Sequence, residues 1–183
     1  MPFLKAARFL NKNVLAMILR YKVTFPGNKV FFREYELNSD MTLFSLNKFL
    51  VNDLDFAPDQ MIAFRGYSKE GKLKAMWGLF DFGSGTIDGV SLEKTLESGA
   101  VTLHYVFDIN ANKYMELSCI GEVEQIFHVS YPRLVAETGR IPGQFDSKFD
   151  TLDNLTPEIG DEIEDDDIDD EDIDDGSEDG GEE

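Results

Sequence analysis

The sequence predicts an α+β fold, an α/β roll in which a mainly antiparallel sheet carries one main helix and a short second one, followed by a disordered acidic tail. Three observations predict it. Short runs alternate apolar and polar residues with period two, as strands with one face on a core do, and turn residues separate them. One stretch after the second run switches to helical spacing. Finally, charge is distributed unevenly: residues 1–150 hold all 17 Lys and Arg beside 18 of the 36 acids, a net of −1. Residues 151–183 hold the other 18 acids and no base, so the chain's −19 belongs to its end.

Leu19 to Phe25 is the clearest strand, alternating Leu, Tyr, Val and Phe with Arg20, Lys22 and Thr24. Pro26-Gly27-Asn28 supplies a turn, and Val30 to Leu37 returns as the second strand of a hairpin. Thr42 is the expected cap of the main helix, because Leu43, Leu46, Phe49 and Leu50 follow it at helical spacing. Met61 to Tyr67 and Leu73 to Phe80 form the next pair of strands, joined through Ser68-Lys69-Glu70-Gly71, and Gly83-Ser84-Gly85 marks a loop. Ser91 caps a short helix over Leu92 to Glu97, with Gly99 beyond its end.

A second hairpin is expected from Val101 to Phe107 and from Tyr114 to Ile120, turning at Asn110-Ala111-Asn112. Phe127-His128-Val129 is read as a last short strand, and the Pro and Gly content from Tyr131 to Phe149 argues for an irregular segment. The resulting order is β-β-α-β-β-α-β-β, which excludes a doubly wound sheet. The chain divides into an N-terminal extension (1–16), the roll domain (17–150) and the tail (151–183). Dense Asp and Glu around Ile159, Ile163, Ile168 and Ile173 predict an unfolded tail, since self-repulsion outweighs what four isoleucines can bury.

Several chemistries lack their residues. A lone Cys119 cannot close an internal disulfide and fits a reducing compartment. The apolar run near the N-terminus is broken by Arg20, and no run approaches the ~18 apolar residues of a membrane span, so a cytoplasmic protein without a membrane partner is expected. His104, His128 and Cys119 form no close-spaced pair, so neither a metal nor another cofactor is expected. Gly83-Ser84-Gly85-Thr86 lacks the Gly-Lys-Ser/Thr of a phosphate loop. No Gly-x-Ser-x-Gly elbow occurs, and no catalytic residue is assigned.

A resemblance extends over about residues 17–145. The strand Leu19 to Phe25, then Val30-Phe31-Phe32-Arg33-Glu34-Tyr35-Glu36-Leu37, then Thr42-Leu43-Phe44-Ser45-Leu46 resemble the opening of the Ri-plasmid third-open-reading-frame-like family. Ala63-Phe64-Arg65, Tyr105-Val106-Phe107-Asp108 and Tyr131-Pro132-Arg133 continue the likeness in the family's order. The resemblance implies an α/β roll. Some members are named as the resolvase passenger of an insertion sequence, which implies a possible place in DNA transactions but no activity. The chain departs from the family after Asp108, where Ile109-Asn110-Ala111-Asn112 replaces a Trp- and His-bearing segment, and at Asn47, where many members carry His.

The candidate binding residues fall into three groups. Trp77 and Phe80 lie in Trp-Gly-Leu-Phe-Asp-Phe, a run whose alternate side chains face opposite ways, and core burial on both faces is the favoured outcome over an exposed partner surface. Asp81 and Asp108 both follow aromatic strand ends and are expected near one another at the sheet rim, where turn capping is the commoner role and acid-base work the rarer. Arg20, Lys22, Lys29 and Arg33 are expected to gather on the outer face of the first hairpin, with Lys69, Lys72 and Lys74 on the second. A non-enzymatic interaction module with a protein partner is the leading expectation. An accessory role on nucleic acid comes second, disfavoured by the tail's competition for positive charge, and an enzyme using rim carboxylates third.

Overall fold

The computed structural model describes residues 17–145. Its first hairpin realises the alternation residue by residue. β1 (Ile18–Phe25) buries Leu19, Tyr21, Val23 and Phe25 and leaves Lys22 in solvent. β2 (Asn28–Asn38) pairs with it antiparallel, setting Tyr35 opposite Tyr21 and Leu37 opposite Leu19. The remaining elements are α1 (Leu43–Asp53), β3 (Ala63–Tyr67), β4 (Leu73–Gly78), α2 (Leu92–Glu97), β5 (Thr102–Asp108), β6 (Lys113–Val123) and β7 (Arg133–Thr138). The seven strands make one sheet in the order β4-β3-β5-β6-β1-β2-β7, each neighbouring pair antiparallel, and with the two helices this is an α+β fold.

One face of the sheet carries the core. Tyr21, Val23, Tyr35, Phe64, Leu103, Tyr105, Met115 and Leu117 join Leu43, Leu46 and Leu50 of α1 and Leu92 of α2 in a single cluster. Each large apolar side chain so buried contributes about 1.5–3 kcal/mol, which fixes both helices on that face.

The helix starts are bound to each other. Thr42 Oγ1 accepts from Ser45 N at 3.1 Å, and Ser91 Oγ from Lys94 N at 3.4 Å. The first helical amides, which have no partner within their own helix, cross over: Leu43 N donates to Val90 O and Phe44 N to Ile87 O, while Leu92 N donates to Met41 O and Glu93 N to Ser39 O. The chain leading into α2 is thereby fastened to α1.

Three expectations need correction. Phe127-His128-Val129 forms no strand, and Phe127 is one of the most exposed residues described. The last strand is β7, inside the segment expected to be irregular, because β2 offers a second edge on which Arg133, Leu134, Ala136 and Glu137 find register partners. Its Leu134-Val135-Ala136 is a continuous apolar run, half-buried throughout, and so carries no period-two signal. Third, β4 ends at Gly78, not Phe80, because the carbonyl of Gly78 is taken by Ile87 N and the chain turns away. Residues 1–16 and the tail lie outside the described residues. Among those described, no helix is long and apolar enough to cross a membrane.

Candidate functional site

β4 is an outermost strand, and the segment after it is built with unusual care for a surface loop. Asp81 Oδ1 accepts from Gly83 N at 2.7 Å and from Gly85 N at 2.8 Å. Those amides, Gly85 first and then Gly83, hold the carboxyl below the ordinary carboxylate range. Trp77 Nε1 donates to Ser84 O at 3.1 Å, Gly78 bridges to Thr86, and Ile87 and Val90 are buried. The loop is thus held at its root, its middle and its exit.

Its apolar side chains nevertheless face water. Leu79 is 48% exposed, Phe80 68% and Phe82 56%. Phe82 lies across Gly78, where a Cβ would meet its ring at 2.5 Å, so the glycine is what lets that ring approach the strand. Trp77 points the other way, 2% exposed, against Gly66 of β3, where a Cβ would come within 2.8 Å of the indole. Met61, which precedes β3, and Ile109, which follows β5, are exposed at the same end of the sheet, because register sets Ala63 beside both Gly78 and Val106. A rigid loop with its aromatic groups outward is a preformed contact surface.

Beside the loop runs a cleft of about 280 Å³ lined by Lys74, Ala75, Trp77, Ser84, Val90, Lys94 and Ser98. Its floor is apolar and its rim cationic. Lys94 and Ser98 stand one helical turn apart on α2, and Lys94 Nζ donates to Gly89 O at 2.9 Å. Lys69, Lys72 and Lys74 are exposed along the β3–β4 turn and β4, with Glu70 the acid among them. No described strand pairs with the outer side of β4.

The sequence-predicted residues therefore separate. Trp77, Phe80 and Asp81 come together here, although exposure of Phe80 and Phe82 reverses the favoured expectation of burial on both faces: the strand stops before their alternation can place them against a core. Asp108 lies at the same sheet end but β3 stands between, a spacing of two strands or about 10 Å. It accepts from Ala111 N at 3.0 Å, so each carboxylate serves its own turn and no hydrogen bond joins them.

The first hairpin does not present the expected basic face. Arg33 lies opposite Val23, on the helix-covered side, and is only 6% exposed. It pairs with Asp53 of α1 at 3.7 Å and with Glu137 of β7. The error is one of register: Arg33 falls at a core position by alternation, and its partners come from elements remote in sequence. Arg20 does face outward, but Glu36 is paired with it and, at 2.7 Å, with Arg133. Burial alone would raise the Glu36 carboxyl; the two arginines outweigh it and hold the carboxyl low. Lys22 lies opposite Glu34 and over the Phe32 ring, and Lys29 is exposed at the turn.

Two features escaped sequence reasoning. Lys94 joins the cleft only through the packing of α2, for which the i, i+4 pair with Ser98 is the sole sequence signal. His104 lies on the sheet face opposite the core and sits between the rings of Tyr67 and Tyr114, with centroids 4.2 Å and 4.4 Å away. That burial, with Arg65 second, lowers its pKa from 6.5 to about 4, although Glu116 at 3.5 Å draws the other way from a more exposed position. Among the described residues no group of three His, Cys, Asp or Glu side chains is placed to hold a metal.

No known protein family's profile matches the chain, and no curated protein does. A solved structure does share its fold. It is a protein of unknown function, MM3350 from Methanosarcina mazei Go1, similar with a TM-score of 0.63 over 76% of this chain and 80% of that one at 16% sequence identity. At that identity the likeness shows the fold alone.

Proposed function

We propose that this protein is a non-enzymatic interaction module whose docking surface is the open edge of β4, the cleft between β4 and α2, and the loop carrying Leu79, Phe80 and Phe82. The loop carries the reading. Asp81 and the Trp77 indole hold its backbone in place, yet the apolar groups so positioned touch water. A loop whose purpose was only to connect β4 to α2 gains nothing from fixing two phenylalanines outward. An extended partner segment laid beside β4 would find unpaired backbone groups for hydrogen bonds and a cleft for alternate side chains, which is how strand addition combines affinity with specificity.

A photo-crosslinking amino acid placed at Phe80, and at Ile120 as a control exposed on the opposite sheet end, tests the reading in cells that produce the protein. Discrete adducts at Phe80, abolished by the neighbouring Asp81→Ala change that removes the carboxylate holding Gly83 N and Gly85 N and so frees the loop, are expected. Equal adduct patterns at both positions would remove the proposal.

The finer readings stand with this proposal. The architecture is described as a roll and the protein as cytoplasmic. Kinship with the Ri-plasmid third-open-reading-frame-like family is supported by the order of its motifs, in which Thr42 caps α1, Arg33 ties β2 to α1 and β7, and Arg133 pairs with Glu36. The nucleic-acid role draws no support from the first hairpin, where Arg20 and Arg33 are spent on carboxylates.

A further inference from the structure

Resting on that docking surface, we infer that its occupant is the chain's own acidic tail, with Ile159-Gly160-Asp161-Glu162-Ile163 lying extended along β4 in the cleft. Three independent matches support this occupant.

The first is charge. Lys69, Lys72, Lys74 and Lys94 surround the edge against Glu70, and the other acids of α2, Glu93 and Glu97, do not line the cleft. Residues 151–183 offer 18 acids and no base. A second copy of the chain, paired β4 to β4, would instead bring Lys72 and Lys74 against their own counterparts.

The second is pattern. In an extended segment alternate residues share a side, so Ile159, Asp161 and Ile163 fall together. Apolar, acidic, apolar is the sequence that a cleft floored by Ala75, Trp77 and Val90 and rimmed by Lys74 and Lys94 would select. Five residues in that form span about 17 Å, close to the length of the six-residue β4.

The third is reach. The described chain stops at Phe145, one residue after Gln144, whose Oε1 accepts from Ala57 N at 2.7 Å, and Ala57 leads into β3, the neighbour of β4. Thirteen residues, and so fourteen Cα-to-Cα steps, separate Phe145 from Ile159. Those fourteen steps extend to at most about 48 Å, which exceeds the ~36 Å diameter of a domain of this size. A tether of that length supplies an effective concentration of order millimolar, so even a weak site is occupied.

Zero-length carbodiimide coupling of lysines to carboxylates, read by mass spectrometry on the full chain, tests the inference. Couplings from Lys72, Lys74 and Lys94 to acids between Glu158 and Glu164 should appear at the monomer mass, about fivefold above those from Lys22, Lys29 and Lys48, which share the same tether but not the cleft. They should fall to the level of those controls in the Ile159→Ser, Ile163→Ser variant, which keeps every charge. Near 1 M salt, where screening acts within about 3 Å, they should also decline. Even coupling to all exposed lysines, an unchanged pattern in the isoleucine variant, or products at the dimer mass would overturn it. If this occupant fails while Phe80 still gives specific photo-adducts, the surface stands and another partner fills it.

Discussion

The two hairpins at opposite sides of the sheet carry similar numbers of cations and use them oppositely. In β1–β2, Arg20 and Arg33 are absorbed by Glu36, Asp53 and Glu137, so charge there holds strands and helix together. In β3–β4, Lys69, Lys72 and Lys74 project beside a cleft and meet little but Glu70. The difference lies in register: a cation opposite or diagonal to a carboxylate becomes structure, and one on an unpaired edge remains free to recruit. Counting charges along a sequence does not distinguish the two, because the partners of Arg33 lie 20 and 104 positions away.

The comparison can be broken most severely at Trp77, the shared wall of core and cleft. Trp77→Ala should destabilise the domain by about 3–5 kcal/mol in denaturant unfolding, the usual loss for a large buried aromatic, whereas Phe80→Ser one turn of chain away should change stability by no more than about 0.5 kcal/mol.

On the first hairpin, Glu36→Gln strands two guanidinium groups. Because Arg20 and Arg133 each keep about a third of their exposure, the expected loss is about 1–3 kcal/mol, less than for a fully buried pair. The same carboxylate, held low in the fold, should contribute stability that is complete above its unfolded value and lost as pH falls through its lower folded one. By contrast Lys72→Glu with Lys74→Glu should leave the unfolding midpoint nearly unchanged, within about 0.5 kcal/mol, since those exposed charges meet only the exposed Glu70.

A further pH effect sharpens the division between the two sheet faces. His104 titrates near 6.5 when unfolded and about 4 when stacked between the tyrosines. Between those values the unfolded chain binds a proton that the folded chain does not, so the stability owed to the neutral ring is present above about pH 6.5 and lost as pH drops toward 4. Thermal unfolding of wild type and His104→Gln across that interval should converge toward acid pH; parallel curves would contradict the assignment.

Much of the fold was legible because its signals are local. Thr42 and Ser91 announce their helices, Gly99 ends the second, and β1 alternates from Leu19 to Phe25. β7 was illegible, since a half-buried edge strand has no polar alternation and its pairing is decided by β2, about a hundred residues earlier. At the site, Trp77, Phe80 and Asp81 stood out as composition, but which of them faces solvent depended on where β4 stops. That is set by a hydrogen bond from Ile87, which no period reports.

Amide hydrogen exchange in the loop after β4 bears most directly on whether that loop is a preformed surface. Gly83, Gly85 and Ile87 should exchange at least about tenfold more slowly than Gln125, Phe127 and His128, exposed residues of the β6–β7 connection where the described amide ties fall instead on Ile126 and Val129, and the protection of Gly83 and Gly85 should vanish in Asp81→Ala. Exchange at Gly83 and Gly85 as fast as in the second segment would mean that the exposed phenylalanines ride on a loosely held chain, and the docking surface would lose its foundation.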